Sequence, residues 1–453
     1  MTTSAPEVVL TMLDRAQGGD AFAYYEGKKI FVAGALPQEE VKVRLGAEHP
    51  TFFTGELLEI LKPSPDRAPN FCAHGCGSCS YTCVRYEAEL QDKRRRLAAL
   101  YASTKEANIV VQAPIHAMSD PFAYRNKSVC ACSTQGGKLT IGLYARGSHD
   151  IIPLASCALE ARWMTDAREK IRSFFDAQDP NLAPNLRYIF LRGADEGERM
   201  CVLVFYAEPS ADFIAKVASL YTELKLSSLK ININNLPGNR ILGPKFIQAA
   251  GKETIETSIL GNKFAINAES FLQINPTQAE VMYKRALELL APKATDVVAD
   301  LYSGAGTISL YVAKKVAHVI GIECVDAAVN DAKSNAKLNG ITNVEFKCGL
   351  VEKIFPQLAA QGIKIDSAIL DPARKGASPE VFQTLAAFEV QRFVYISCNP
   401  ISQKRDLEVA AKYGYELKAF EAVDMFPHTD HVEPVVLLSR ENRIAKNYVK
   451  SKS

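Results

Sequence analysis

Asp296-Val-Val-Ala-Asp300-Leu-Tyr-Ser-Gly304-Ala-Gly306-Thr-Ile-Ser309 reads as a strand, a glycine turn and the start of a helix. Asp296–Leu301 is the strand, and Gly304 and Gly306 allow a tight turn and close approach of a ligand to backbone N–H groups. The helix runs to about Lys315. Outward from this unit the pattern repeats. His318–Glu323 is a second strand, Ala327–Asn339 a helix stopped by Gly340, and Val344–Cys348, Ser367–Leu370 and Arg392–Ser397 are further strands with helical segments between. Gln278–Leu290 is a helix upstream, and Val435–Leu438 is the last strand. Such alternation predicts an α/β fold with a parallel, doubly wound sheet, whose ligands sit beyond the carboxyl ends of the strands. Asp300, Glu323, Asp371 and Cys398 all fall there.

The remainder of the 453 residues is organised differently. Ala21–Tyr25 and Lys29–Ala33 flank a turn at Glu26-Gly27-Lys28, Val41–Leu45 alternates apolar and polar residues, and Thr54–Leu61 supplies another strand. Several short strands in this span predict an OB-like β-barrel over residues 1–62. The proline-rich Lys62–Pro69 marks a boundary. Tyr86–Tyr101 is a charged helix whose run Lys93–Arg96 is either a solvated face or a phosphate contact. Residues 63–258 are expected to form a central α+β domain. It has hairpins at Lys127–Ser133/Lys138–Ala145 around Gly136-Gly137 and at Leu186–Arg192/Arg199–Ala207, then a helix near Ala211–Leu224 and a strand at Leu229–Asn234. Residues 259–453 form the doubly wound domain.

Composition bounds the function. With 47% hydrophobic and 23% charged residues and a net charge of +2, the chain is neither disordered nor a wholly basic nucleic-acid coat. No apolar run approaches the ~18 residues of a membrane span, and the N-terminus lacks the basic and apolar pattern of a secretory signal. A cytoplasmic monomer is expected. Eleven cysteines in such a chain are then free, metal-bound or catalytic rather than paired.

The dinucleotide fingerprint needs a third glycine where Ser309 stands, which disfavours NAD or FAD. Asp300 before G-x-G, with Glu323 ending the next strand to hold a ribose diol, resembles Rossmann-like methyltransferases that use S-adenosylmethionine (SAM). The plainer reading is two glycines closing an ordinary turn. Cys398 follows the strand at Phe393–Ser397, and Asn399-Pro400 turns the chain so that the thiol projects into the cleft. A cysteine after a strand is more often a small buried apolar group. Here Arg374 and Lys375 are expected to favour thiolate, and Glu433 offers a carboxylate before the last strand. His428 and His431 are read as turn polarity. A thiolate, a carboxylate and SAM suit one reaction. Uracil C5 is too weak a nucleophile to take a methyl group unaided. Thiolate addition at C6 makes C5 an enolate carbon, and a base then removes the C5 proton so that the thiol leaves. Cys398 fits the nucleophile and Glu433 the base.

The chain resembles the RNA (uracil-5-)-methyltransferase family, and within it the iron–sulfur 23S rRNA branch. The motifs are Phe271-Leu-Gln273-Ile-Asn275-Pro, Asp300-Leu-Tyr-Ser-Gly-Ala-Gly306-Thr, Asp371-Pro-Ala-Arg374, Ser397-Cys398-Asn399-Pro400 and His431-Val-Glu433. The resemblance implies SAM contacts from Gln273, Tyr302, Gly304, Gly306, Thr307, Glu323 and Asp371, and an N-terminal TRAM domain that binds RNA. Three positions depart from the family pattern: Ser303 for a cysteine, Ala373 for the second proline of D-P-P-R, and Gly349-Leu350 where a polar adenine contact is common.

Cys72-Ala-His-Gly-Cys76-Gly-Ser-Cys79, followed by Cys83, has the density of a zinc or cluster site. The resemblance implies instead that Cys72, Cys76 and Cys79 bind a 4Fe-4S cluster with the distant Cys157. C-x3-C-x2-C is also the radical-SAM signature, but that reading leaves Cys398 and Glu433 without a role. Cys130, Cys132, Cys201, Cys324 and Cys348 are expected to pack. The resulting expectation is a SAM-dependent enzyme forming 5-methyluridine in 23S rRNA. The alternatives are a tRNA methyltransferase, a radical-SAM enzyme or a non-catalytic RNA-binding protein.

Overall fold

The computed structural model describes residues 5–16, 18–72, 74–135, 138–145, 147–177 and 185–440. The chain divides into two compact units. One comprises Met1–Arg96, Tyr144–Asp150 and Phe426–His431; the other comprises Leu97–Leu143, Ile151–Met425 and Val432–Ser453. No helix of the described residues is long and apolar enough to cross a membrane.

The first unit holds a six-stranded sheet of Glu7–Thr11, Asp14–Arg15, Ala21–Tyr25, Lys28–Val32, Glu40–Glu48 and Phe52–Lys62. Alternation sorts its two faces. Ala21, Ala23, Ile30, Val32, Val41 and Val43 are buried on one side, while Phe22, Tyr24 and Phe31 remain partly or fully exposed on the other. The hairpin expected at Glu26-Gly27 is present, with both residues at positive φ, as a two-residue turn requires to match the strand twist.

The basic run of Tyr86–Tyr101 divides: Arg94 and Arg95 are exposed, as on a solvated face, while Lys93 is not. Lys93 is fully buried and pairs with the buried Glu89 at 2.6 Å. Glu89 also accepts the backbone N–H of His428 at 2.8 Å. Arg95 pairs with Asp14, and Arg96 donates to the Asp430 carbonyl. A buried carboxylate needs a paired cation, so Lys93 is committed inside the unit rather than to water or phosphate. His428 lies in a turn, as expected, at a φ of 66°, and is buried there with Nδ1 3.2 Å from Glu89.

The second unit contains a seven-stranded sheet and an eight-stranded sheet. In the former, Lys127–Gln135 pairs antiparallel with Lys138–Tyr144, and Leu186–Arg192 with Met200–Phe205. The Gly136-Gly137 turn lies outside the described residues. The helix Arg162–Asp176, which the sequence reading missed, buries Trp163, Ala167 and Ile171 at four-residue spacing in this core.

The eight-stranded sheet runs Val344–Cys348, His318–Glu323, Val297–Leu301, Ser367–Leu370, Arg392–Ile396, Glu433–Ser439, Glu416–Val423, Ile115–His116. The first five strands are parallel, as the alternation predicts. The expectation of a wholly parallel sheet fails at one edge. Glu433–Ser439 is antiparallel to both Arg392–Ile396 and Glu416–Val423. The link 424–432 is too short for a crossover of about a dozen residues, so the last strand returns antiparallel.

Candidate active site

The antiparallel edge decides the site. Ile396 pairs with Val435, and the Ser397 N–H donates to the Pro434 carbonyl at 3.1 Å. One further step along this register sets Cys398 opposite Glu433. Residues with no obvious sequence relation are thereby brought face to face. Asp371 ends the adjacent parallel strand, with its N–H donating to the Leu301 carbonyl at 3.3 Å.

The turn carrying Cys398 is locked by its neighbours. The Asn399 side chain accepts from the Ile401 N–H and so caps the helix Pro400–Lys412, with Pro400 at the first helical position. Asn399 Nδ2 donates to the Arg374 carbonyl at 2.9 Å, tying this turn to the Asp371-Pro-Ala-Arg374 segment.

The three groups perturb one another. Burial, and then the Asp371 charge, push the Glu433 carboxyl up to about 8. Burial, and then Asp300, push Asp371 up to about 7. Cys398 is half-buried, and its thiol is raised by burial and by both Glu433 and Asp371. Arg374 favours the thiolate, as expected of a nearby cation, but its effect is smaller than those of burial, Glu433 and Asp371. Lys375 is exposed.

A stability consequence follows for Glu433. Between its ordinary value of 4.5 and about 8, the folded carboxyl keeps a proton that the unfolded chain releases. Its contribution therefore falls as pH rises through that window. Glu433→Gln removes the ionisation, so its Tm is expected to exceed wild type near pH 9 and to match it below about pH 4.5. Thermal unfolding across pH checks this, and equal Tm values at both ends would refute it.

The glycine turn follows Val297–Leu301, the strand beside Ser367–Leu370. Tyr302 adopts a left-handed φ of 72°, and both Tyr302 and Ser303 donate their N–H to the Ile322 carbonyl. The Tyr302 hydroxyl accepts from the Ser378 backbone N–H, and its ring packs on the core. Gly304 has open space on its Cβ side, whereas a Cβ at Gly306 would meet Phe346 at 3.0 Å. Gly306 leads into Thr307, which starts the short helix Thr307–Ala313. The Glu323 carboxylate is held by the N–H groups of Gly304 at 3.1 Å and Val325 at 2.8 Å. Asp300 is fully buried and raised to about 6 by burial, and the Ser309 hydroxyl donates to its Oδ2. Its Oδ1 has no hydrogen-bond partner among the described residues. An orphaned buried acceptor, a fixed carboxylate and an open glycine turn fit a nucleoside with donor hydroxyls.

Gln273 is buried, and its carbonyl accepts from Asn126 Nδ2. Sequence reasoning missed Tyr283, on the apolar stripe of the helix Pro276–Leu290. Its buried hydroxyl shares hydrogen bonds with Thr307 and Gln273, and Asp371 and Glu433 act on it electrostatically. Asn275 and Gln278 act as struts: Asn275 Nδ2 donates to the Met425 carbonyl, and Gln278 Nε2 donates to those of His116 and Asp424. Gly349 donates its N–H to the Glu323 carbonyl, and Leu350 is exposed where a polar adenine contact is common in the family.

The cysteines sort by environment. Cys72, Cys76 and Cys79 are half-buried in the first unit, on a segment where Gly75 and Gly77 have positive φ. Cys83 instead packs with Leu36, Tyr81, Val84 and Ala88. Cys157, in the second unit, is half-buried against the core there. Among the described residues no three His, Cys, Asp or Glu side chains converge as a metal-holding group. Clustered thiols are the donor type that iron–sulfur clusters take. Cys130 and Cys201 are buried and Cys132 packs against the same core, as expected. Cys324 and Cys348 are exposed, which corrects their assignment to packing; each lies past or at a strand end, where the sheet no longer covers it.

Comparison with known proteins extends the picture. A family model described as tRNA (uracil-5-)-methyltransferase matches residues 85–441. An uncharacterized RNA methyltransferase of Listeria innocua is 34% identical over 441 residues, covering 95% of this chain and 97% of its own. One from Halalkalibacterium halodurans is 34% identical, with 96% and 97% covered. The crystal structure of Pyrococcus abyssi tRNA (uracil-54, C5)-methyltransferase with S-adenosyl-L-homocysteine has the same fold. Its TM-score is 0.76 at 24% identity, covering 95% of this chain and 99% of that one. The matched span contains the glycine turn, Asp371, Cys398 and Glu433 together, and the chain belongs to the RNA (uracil-5-)-methyltransferase family.

Proposed function

We propose that the chain methylates C5 of a specific uridine in 23S rRNA, acting as a cytoplasmic monomer, with Cys398 as nucleophile and Glu433 as proton acceptor. The observation that carries the reading is the sheet register that sets Cys398 against Glu433 beside Asp371. Cys398 gives its proton to solvent water and adds to C6 as the thiolate, so that the C5–C6 electron pair moves towards C5 and O4. S-adenosylmethionine supplies the electrophilic methyl group. Glu433 then takes the C5 proton, the C–H pair reforms C5=C6, and the thiolate leaves. Glu433 accepts that proton only as the carboxylate, so with its carboxyl raised to about 8 the elimination step is expected to quicken as pH rises through that value.

Glu323 would hold the ribose diol, with Gln273, Tyr302, Gly304, Gly306, Thr307 and Asp371 around the rest of the cofactor. The RNA would be gripped in part by the N-terminal sheet, read as a TRAM-like domain. There Phe22, Phe31 and Phe52 form a row of edge contacts at 6.2 and 5.5 Å, and Lys29 Nζ lies 4.5 Å from the Phe22 ring centre. Aromatic faces beside cations stack on unpaired bases without strong sequence preference. The target base would be turned out of the RNA to reach Cys398. Cys72, Cys76, Cys79 and Cys157 are proposed to hold a 4Fe-4S cluster with a structural role, since the methyl transfer needs no electron.

A tRNA substrate is the second reading, favoured by the description of the matching family model. Unmodified 23S rRNA and tRNA transcripts, each incubated with labelled SAM and mapped by mass spectrometry, separate the two. 5-Methyluridine in the rRNA alone is expected. Methylation of tRNA alone would overturn the rRNA assignment, and 5′-deoxyadenosine in place of S-adenosylhomocysteine would overturn the chemistry.

A further inference from the structure

Two exposed thiols lie beside the carboxylate assigned to the ribose. Cys324 directly follows Glu323 at the end of the strand His318–Glu323, and Cys348 ends the neighbouring parallel strand. Glu323 and Cys348 are register partners, and the Gly349 N–H donates to the Glu323 carbonyl at 2.9 Å. Cys324 stands on the bend that follows the strand, one residue past the register partner of Cys348, and its thiol is near enough to Cys348 for the two to act on each other electrostatically. The Cys348 Sγ is 4.0 Å from the Cys324 carbonyl oxygen. The Cys324 thiol itself hydrogen-bonds to the Glu323 carboxylate and is felt by the Tyr302 hydroxyl. Neither cysteine has a part in the methyl-transfer chemistry or in the cluster.

We propose that Cys324 and Cys348 form a redox-modification site, closed to a disulfide by peroxide, and that closure weakens cofactor binding at Glu323. The second half rests on the SAM reading above. The step balances: two S–H bonds break, one S–S bond forms, and the two electrons and two protons reduce hydrogen peroxide to two waters. A thiol reductant reverses it. Closure draws Cys324 towards Cys348. That removes its thiol from Glu323 and shifts the adjoining Val325 N–H, one of the two backbone donors fixing that carboxylate. Linkage makes the coupling reciprocal, so a bound nucleoside also disfavours the disulfide by the same factor.

The test uses the full-length protein, treated with hydrogen peroxide with or without S-adenosylhomocysteine, alkylated and digested with trypsin. The expected product joins the peptides Val316–Lys333 and Cys348–Lys353 with the loss of two hydrogens. It is less abundant when S-adenosylhomocysteine is present, and absent in Cys324→Ser. S-adenosylhomocysteine affinity is expected to fall about tenfold in oxidised wild type, within the usual range of such couplings, and to recover on reduction. Peroxide-treated Cys324→Ser should keep its affinity, which separates this site from oxidation of Cys398. Recovery of both peptides singly alkylated after treatment would overturn the site. A linked peptide with unchanged affinity would overturn the coupling. Failure of the reduced protein to bind S-adenosylhomocysteine would overturn the SAM reading and leave the disulfide standing.

Discussion

Cys398→Ala is expected to lose methyl transfer by at least about 10⁴-fold, the scale on which removal of a covalent nucleophile acts. Without the thiolate, C5 of uracil has no enolate form and does not attack a sulfonium methyl. The substitution removes one half-buried sulfur from a turn that backbone and Asn399 contacts hold independently. S-adenosylhomocysteine affinity and RNA affinity should therefore stay close to wild type, so that the loss appears in kcat. The raised thiol sharpens this expectation. Burial, Glu433 and Asp371 all disfavour the Cys398 thiolate in the free protein, so adduct formation is expected to quicken as pH rises. Stoichiometric labelling of RNA by the alanine variant would refute covalent catalysis.

Glu433→Gln is expected to fail at a different point. Glutamine fills the same space but does not accept the C5 proton, so addition and methyl transfer proceed while elimination stalls. Turnover should fall about 10²–10⁴-fold, the usual contribution of a positioned base. A denaturation-resistant protein–RNA species carrying the methyl label should accumulate. Asp371 acts electrostatically on this group and is itself raised to about 7. If the glutamine variant turns over normally, Asp371 becomes the better assignment for the base. The two variants together separate the roles: one blocks entry into the adduct, the other exit from it.

Much of this was legible in sequence, for reasons that differ by residue. The strand, glycine turn and helix at Asp300–Ser309 are local, and every feature of that turn lies within ten residues. The parallel strands carry β-branched runs between helical patterns, so they too are read locally. The facing of Cys398 and Glu433 is not local. It depends on the last strand inserting antiparallel beside Arg392–Ile396, and Glu416–Val423, its other neighbour, escaped sequence reading. Its charged positions Glu416, Lys418 and Glu421 interrupt any clean apolar run. Tyr283 was hidden for the opposite reason. It stands in an apolar stripe with Ala279, Met282, Ala286 and Leu290, where an aromatic ring reads as packing. Lys93 carried a signal that was passed over, since Glu89 lies four residues before it and an i, i+4 pair can be buried as a unit. The exposure of Cys324 and Cys348 follows from their places at strand carboxyl ends, where the sheet stops covering side chains.

The covalent adduct tests the account most directly. Glu433→Gln protein is incubated with the RNA substrate and methyl-labelled SAM, then digested with protease and nuclease, and the peptide Phe393–Lys404 is weighed. The account predicts that Cys398 carries a methylated uridine nucleotide joined through its sulfur. Free Cys398 in that peptide, with 5-methyluridine nonetheless formed in the RNA, would contradict it.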